Sequence, residues 1–220
     1  MTQIAARTQY DIVQNIVYSH SPQNIRALRQ ESKMLTRLNT AIVLALVSST
    51  VSLAADELKD AKVGDIMLKT PASWKQSEPT SNLRLAQFEI PAAEGDKEPA
   101  ELAIFSFGGG GGVQANIDRW VDQFNADGRK SKVTSGKSAI GEYVIADVTG
   151  TYKKPVGPPV LRKTEAMPGA RMLAVILAIE GKGNYFLKLT GENATVTAAA
   201  DAFRASFGGK EADEKAFAPE

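Results

Sequence analysis

The chain has 220 residues, 43% of them hydrophobic and 23% charged, with 26 basic against 25 acidic side chains. It holds no cysteine and one histidine, His20. That excludes disulfides, iron–sulfur clusters, thiolate zinc sites and cysteine nucleophiles.

In chain order, a targeting pattern comes first. Arg37 precedes an uncharged stretch over 38–55, whose Ala41–Val47 part (AIVLALV) is an unbroken apolar run. Ser48-Ser49-Thr50 and then Ser52-Leu53-Ala54 lead out of it, ahead of Asp56 and Glu57. A basic start, a short apolar core and a small-residue exit predict a secretory signal peptide over 34–54, cut after Ala54 or one residue later. The run is too short, and too rich in Ser and Thr, for the roughly 20 apolar residues that a membrane-spanning helix needs. The mature form is therefore expected to be exported, periplasmic or secreted, with no transmembrane segment. Two readings of residues 1–33 stand: a long leader, or an extension upstream of a true start at Met34, since MLTRLNT makes an ordinary signal beginning. Pro22 interrupts any helix there.

Cleavage after Ala54 takes away five basic and two acidic side chains together with His20. The remaining 166 residues carry 21 basic and 23 acidic groups, a formal charge of −2. A surface so near neutrality gives no electrostatic ground for nucleic acid as a partner.

The predicted elements follow. Ile66–Lys69 reads as a short strand stopped by Thr70-Pro71. Asn82–Ile90 alternates Ala86, Phe88 and Ile90 against Gln87 and Glu89, the period of a half-buried strand. Glu94-Gly95-Asp96 marks a turn into Glu101–Phe107, which is apolar on both faces and so central, and the two strands read as a hairpin. After five glycines (Gly108–Gly112), Ile117, Trp120, Val121 and Phe124 make the stripe of an amphipathic helix, capped near Asn116 and ended by Asp127-Gly128. Strands resume at Lys132–Ser138 and Glu142–Tyr152, then at the almost wholly apolar Arg171–Glu180, then at Tyr185–Thr190 beyond a Gly181–Asn184 turn. Val196, Ala200, Phe203 and Phe207 share one face of a last helix, with Gly208 as its C′ glycine. Hairpin-linked strands with two helices predict an α+β fold, a central antiparallel sheet flanked by helices, as a single domain over 55–207. Residues 208–220, charged and weakly apolar, are expected to form a flexible tail.

Several short motifs carry a resemblance: Thr70-Pro71-Ala72-Ser73-Trp74, Arg84-Leu85-Ala86-Gln87-Phe88, Glu101-Leu102-Ala103, the glycine run, Asn116-Ile117 with Arg119-Trp120 and Gln123-Phe124, and Lys188-Leu189-Thr190-Gly191. Over most of residues 63–207 the chain resembles the Mog1/PsbP-like α/β sandwich. It is most similar to a group of exported hypothetical proteins found in bacteria such as planctomycetes. The resemblance implies a sheet with flanking helices. It implies no one activity, because that fold hosts photosystem extrinsic subunits, a nuclear-transport regulator and many unassigned domains.

Candidate sites are weighed against plainer roles. Gly108–Gly112 ahead of a helix could hold an anion on backbone N–H groups, but Val113-Gln114 stands where a nucleotide loop needs Lys and Ser or Thr. The plainer role is a loose link. Asn116, Arg119 and Gln123 recur at helical spacing beside Trp120 and offer a binding edge. Equally, Asn116 can cap, and Arg119 can pair with Asp118 or Asp122. The segment 153–171 is rich in proline and glycine and carries Lys153, Lys154, Arg162, Lys163 and Arg171, which suit an acidic partner or ligand. A solvated hairpin explains the same composition. Glu142, Asp147 and Glu180 are available for carboxylate hydrolysis, though no spacing assigns acid and base. Ser106, Ser135, Ser138 and Lys188 leave serine–lysine chemistry formally open, with Ser135-Gly136-Lys137 one residue short of Ser-x-x-Lys.

No calcium loop appears either. The expectation is thus an exported, non-enzymatic domain, with no cofactor and no metal, that binds an envelope protein or small ligand through Asn116, Arg119, Gln123, Lys153, Lys154, Arg162, Lys163 and Arg171. A carboxylate hydrolase and an accessory subunit of a membrane-associated complex remain as alternatives.

Overall fold

The computed structural model describes residues 57–107, 112–157 and 161–219, which belong to one compact unit, Ala55–Glu220. The leader, the signal pattern and most of the glycine run lie outside the described residues.

The described residues form ten strands, two α-helices and a short 3-10 helix at Glu211–Asp213. The strands are β1 (Leu58–Val63), β2 (Ile66–Pro71), β3 (Lys75–Ser77), β4 (Arg84–Ile90), β5 (Ala100–Ser106), β6 (Lys130–Lys137), β7 (Glu142–Pro155), β8 (Thr164–Ile179), β9 (Gly183–Glu192) and β10 (Lys215–Ala216). Helix α1 spans Val113–Val121 and α2 spans Asn193–Ser206. Eight strands form one antiparallel sheet in the order β10-β6-β7-β8-β9-β5-β4-β3, and β1 and β2 form a separate hairpin. The α+β class follows from this arrangement.

The sheet is covered on both faces, so its middle strands cannot alternate apolar with polar residues. On β8, Leu173, Val175 and Leu177 face α2 and the β1–β2 hairpin in one core cluster. Met172, Ala174 and Ile176 face the other way, toward Ile117 and Trp120 of α1. Helix α2 presents Val196, Phe203 and, just past its end, Phe207 to the first cluster, all at most 1% exposed. It ends in a Schellman motif: Gly208 (φ +81°) donates to the Ala205 carbonyl at 3.0 Å and Gly209 to the Arg204 carbonyl at 2.8 Å. Its first turn is held from a loop, because Asp96 Oδ2 accepts from the Thr195 N–H (2.7 Å) and hydroxyl (2.6 Å).

Three expectations change. Segment 153–171 is a hairpin, as its plainer reading has it, but its ends are strand and not loop: β7 and β8 pair from Tyr152↔Met167 to Pro155↔Thr164. Two of its chain-breakers are absorbed by a bulge in which Pro168 and Gly169 oppose Thr151 alone. Proline needs no N–H there, and Gly169 takes φ +68°. The extra residue reverses which β8 side chains face α1's side, and this turns Met167 onto that face.

The tail is also structured. Residues 215–216 pair with β6, and Glu214, 3% exposed, receives Arg204 Nε at 2.7 Å and the Thr134 hydroxyl at 2.6 Å. A buried ion pair, not apolar content, anchors it. Finally, α1 starts at Val113 with Gly112 at its N-cap and stops at Val121. Asn116 is no cap: it is buried one turn in, where its amide donates to the Gly112 carbonyl at 3.1 Å. Strands β1, β3 and β10 were not anticipated either, since Lys, Asp and Gln residues dominate their sequences and most of their positions are exposed.

Candidate functional site

One row of side chains crosses the α1 face of the sheet: Gln87, Ala103, Lys188, Ala174, Ala146 and Val133, on adjacent strands. Lys188 therefore has alanines on both sides. Small neighbours leave space beside a long side chain, and a pocket of about 410 Å³ opens there between β4, β5, β9 and the outer arm of β7–β8.

The Lys188 ammonium donates to Gln123 Oε1 at 2.6 Å and to the Tyr152 hydroxyl at 3.0 Å. Gln123 comes from the turn just after α1, and Tyr152 from β7 opposite Met167 beyond the bulge. Both partners are neutral, and Lys188 forms no salt bridge among the described residues. An ammonium has three N–H groups. Two are used, and the third has no protein partner among the described residues. Burial pushes the Lys188 pKa down to about 8, against the attraction of Glu101, and Arg84 and Arg119 lower it further. Burial likewise pushes the Tyr152 phenol up to about 12.

The other cations of the pocket are matched, while Glu89 stands exposed at its rim. Arg84 binds Glu101 at 2.9 Å and Gln87 at 2.6 Å, and its guanidinium lies 5.8 Å from the Phe105 ring centre. Lys154 binds Glu98 at 2.6 Å, which holds that carboxyl below the usual carboxylate range. Phe105, Met167 and Pro155 supply apolar wall. Thr190, next along β9 on the same face, also lines the pocket, and its hydroxyl is buried without a partner among the described residues.

The residues singled out from the sequence separate into groups. Lys154 lines the pocket, and Gln123 touches it only through its hydrogen bond to Lys188. Arg119 is exposed on α1 and donates to Asn116 Oδ1 at 2.6 Å, not to Asp118 or Asp122. Lys153, Arg162 and Lys163 are exposed along the β7–β8 arm and its tip. Arg171 lies on the opposite face, clamped to Asp147 by bonds of 2.9 and 2.7 Å and to the Thr197 hydroxyl of α2 at 2.8 Å.

The carboxylates do not gather at one centre. Asp147 is held by Arg171, while Glu142 and Glu180 are both exposed beside a shallow depression at the far end of β7 and β8. Among the described residues no group of acids or histidines is arranged to hold a metal ion, and no helix is long and apolar enough to cross a membrane.

In the sequence Lys188 stands in the Lys188-Leu189-Thr190-Gly191 motif and beside serines as a formal catalytic option, not among the binding residues. Its signal was present: in Tyr185–Thr190 the apolar Tyr185, Leu187 and Leu189 take one face, which puts Lys188 between Phe186 and Thr190 on the other. In a strand with both faces covered, such a lysine is drawn largely out of solvent, and Lys188 is half-buried.

Fold and site together define an α+β sandwich with a mixed polar and apolar pocket centred on one half-buried lysine. No protein-family model matches the chain, and no curated protein matches it in sequence. Among solved structures the chain is similar to the solution structure of cyanobacterial PsbP (CyanoP) from Synechocystis sp. PCC 6803. The identity is 9%, the TM-score is 0.43, and the alignment covers 77% of this chain and 98% of that one.

Proposed function

We propose that this chain is an exported, non-enzymatic binding domain whose ligand site is the pocket around Lys188. The observation that carries the reading is an ammonium with only neutral partners and one unused N–H, on the wall of a 410 Å³ space. Removing a charge from water without an opposite charge is costly, and a protein that retains one beside an open pocket has a use for it there. Dispersal of Glu142, Asp147 and Glu180 supports binding over carboxylate hydrolysis, which needs two carboxylates across one bond. Arg37, the apolar Ala41–Val47 run and Ser52-Leu53-Ala54 support export with loss of residues 34–54.

Two measurements test this. In an amide NMR screen against small organic fragments, binders perturb Ala103, Tyr152, Lys188 and Thr190 together; binders confined to other surfaces contradict the site. In cell fractions, the processed protein begins at Ala55 or Asp56; a peptide containing Tyr10 in that form contradicts export processing.

A further inference from the structure

The chemistry of the pocket narrows what it takes, provided that it is the binding site. Arg84 is matched by Glu101 and Lys154 by Glu98, whereas the Lys188 ammonium has neutral partners: Gln123 Oε1, the Tyr152 hydroxyl and, 5.1 Å away, the Tyr152 ring. Glu89 stands exposed on β4, where water screens it, and Arg119 adds positive potential from the exposed side of α1. Lys188 is thus the one cation of the pocket wall without an ion-pair partner among the described residues. A cationic ligand would be repelled by Lys188 and Arg84. A dianion such as phosphate would bring two charges to one free cation, with Glu101 alongside. A monoanion matches.

We propose that the Lys188 pocket binds a small organic monocarboxylate, whose head group accepts the third N–H of Lys188 and whose apolar body lies along Phe105 and Met167. Gln123 and Tyr152 hold the ammonium in place, so its orientation is fixed before the ligand arrives. The volume suits a fragment-sized acid.

The test uses protein expressed from the full chain with ¹³Cε-labelled lysine, titrated with hexanoate, hexanamide and inorganic phosphate. The expected result is that hexanoate binds at least ten-fold more tightly than hexanamide, and phosphate more weakly than hexanoate. Linkage then requires the Lys188 titration midpoint to rise by about one unit per ten-fold preference for its charged form. Lys188→Met binds hexanoate and hexanamide alike. The midpoint shift is read in wild-type protein, so it stands even if the variant folds poorly. Equal binding of hexanamide and hexanoate, both perturbing Ala103 and Thr190, overturns the carboxylate while leaving the pocket as the site. Tighter binding of phosphate overturns the monoanion. If no probe perturbs the pocket, both this inference and the site assignment fail.

Discussion

The side-chain carbonyl of Gln123, just past the end of α1, accepts a 2.6 Å hydrogen bond from the ammonium of Lys188, in the middle of β9. The contact joins the helix to the sheet through a cation and a neutral amide. A glutamate in place of Gln123 would make an ion pair of the same reach. Gln123→Glu is accordingly expected to stabilise the protein at pH 7 by about 2 kcal/mol, the scale of a charge-assisted hydrogen bond. Urea unfolding measures this. The same variant should lose affinity for hexanoate at least ten-fold, because the free positive charge is gone.

The pH dependence of stability has a definite sign. The folded-state pKa of Lys188, about 8, lies below its ordinary value of 10.5, so folding carries a penalty that is complete below pH 8. The penalty is relieved as pH rises from 8 to 10.5, by about 3 kcal/mol in total. Tyr152 and Tyr143, both pushed up to about 12 from 10, act oppositely: what they contribute is intact below pH 10 and lost above it. Stability should therefore rise from pH 8 to a maximum near 10 and then fall. In Lys188→Met the rise disappears and the fall remains, as denaturant midpoints across this range will report.

Arg204 and Glu214 are 4% and 3% exposed and 2.7 Å apart. Removing one partner strands the other charge inside the protein, where the cost is about 3–5 kcal/mol. Glu214→Ala is expected to lower stability on that scale. It should also release residues 210–217 to fast amide hydrogen exchange, while Arg204→Met with Glu214→Leu recovers most of the loss.

The Asp147–Arg171 clamp ties β7 and β8 to Thr197 of α2, on the face away from the pocket. With side chains 23% and 17% exposed, the pair is partly reached by water. Arg171→Met should cost about 1–2 kcal/mol in unfolding free energy and leave hexanoate affinity within two-fold of wild type. A large loss of affinity would place Arg171 in the site after all.

Much of the sheet was legible because burial writes itself into period. The alternation of Ala86, Phe88 and Ile90, and the two-sided apolar run of β8, gave strands whose cores the structure confirms. What escaped notice was buried polarity. Glu214 sits in a run of charged residues and reads as solvated until its partner Arg204, on the inner face of α2, is known. Pro168 and Gly169 read as loop because a bulge has no signature apart from its partner strand. Lys188 was legible only jointly with its neighbours: the alanines that make room for it, Ala103 and Ala174, lie 85 and 14 residues away in sequence and meet it only through strand pairing.

The most direct test of the account is the titration of Lys188 itself in the unliganded wild-type protein, followed by ¹³Cε chemical shift. A midpoint near 8 establishes a desolvated ammonium without a counter-ion. A midpoint at 10 or above would show it to be solvated or ion-paired, and the site built on it would be withdrawn.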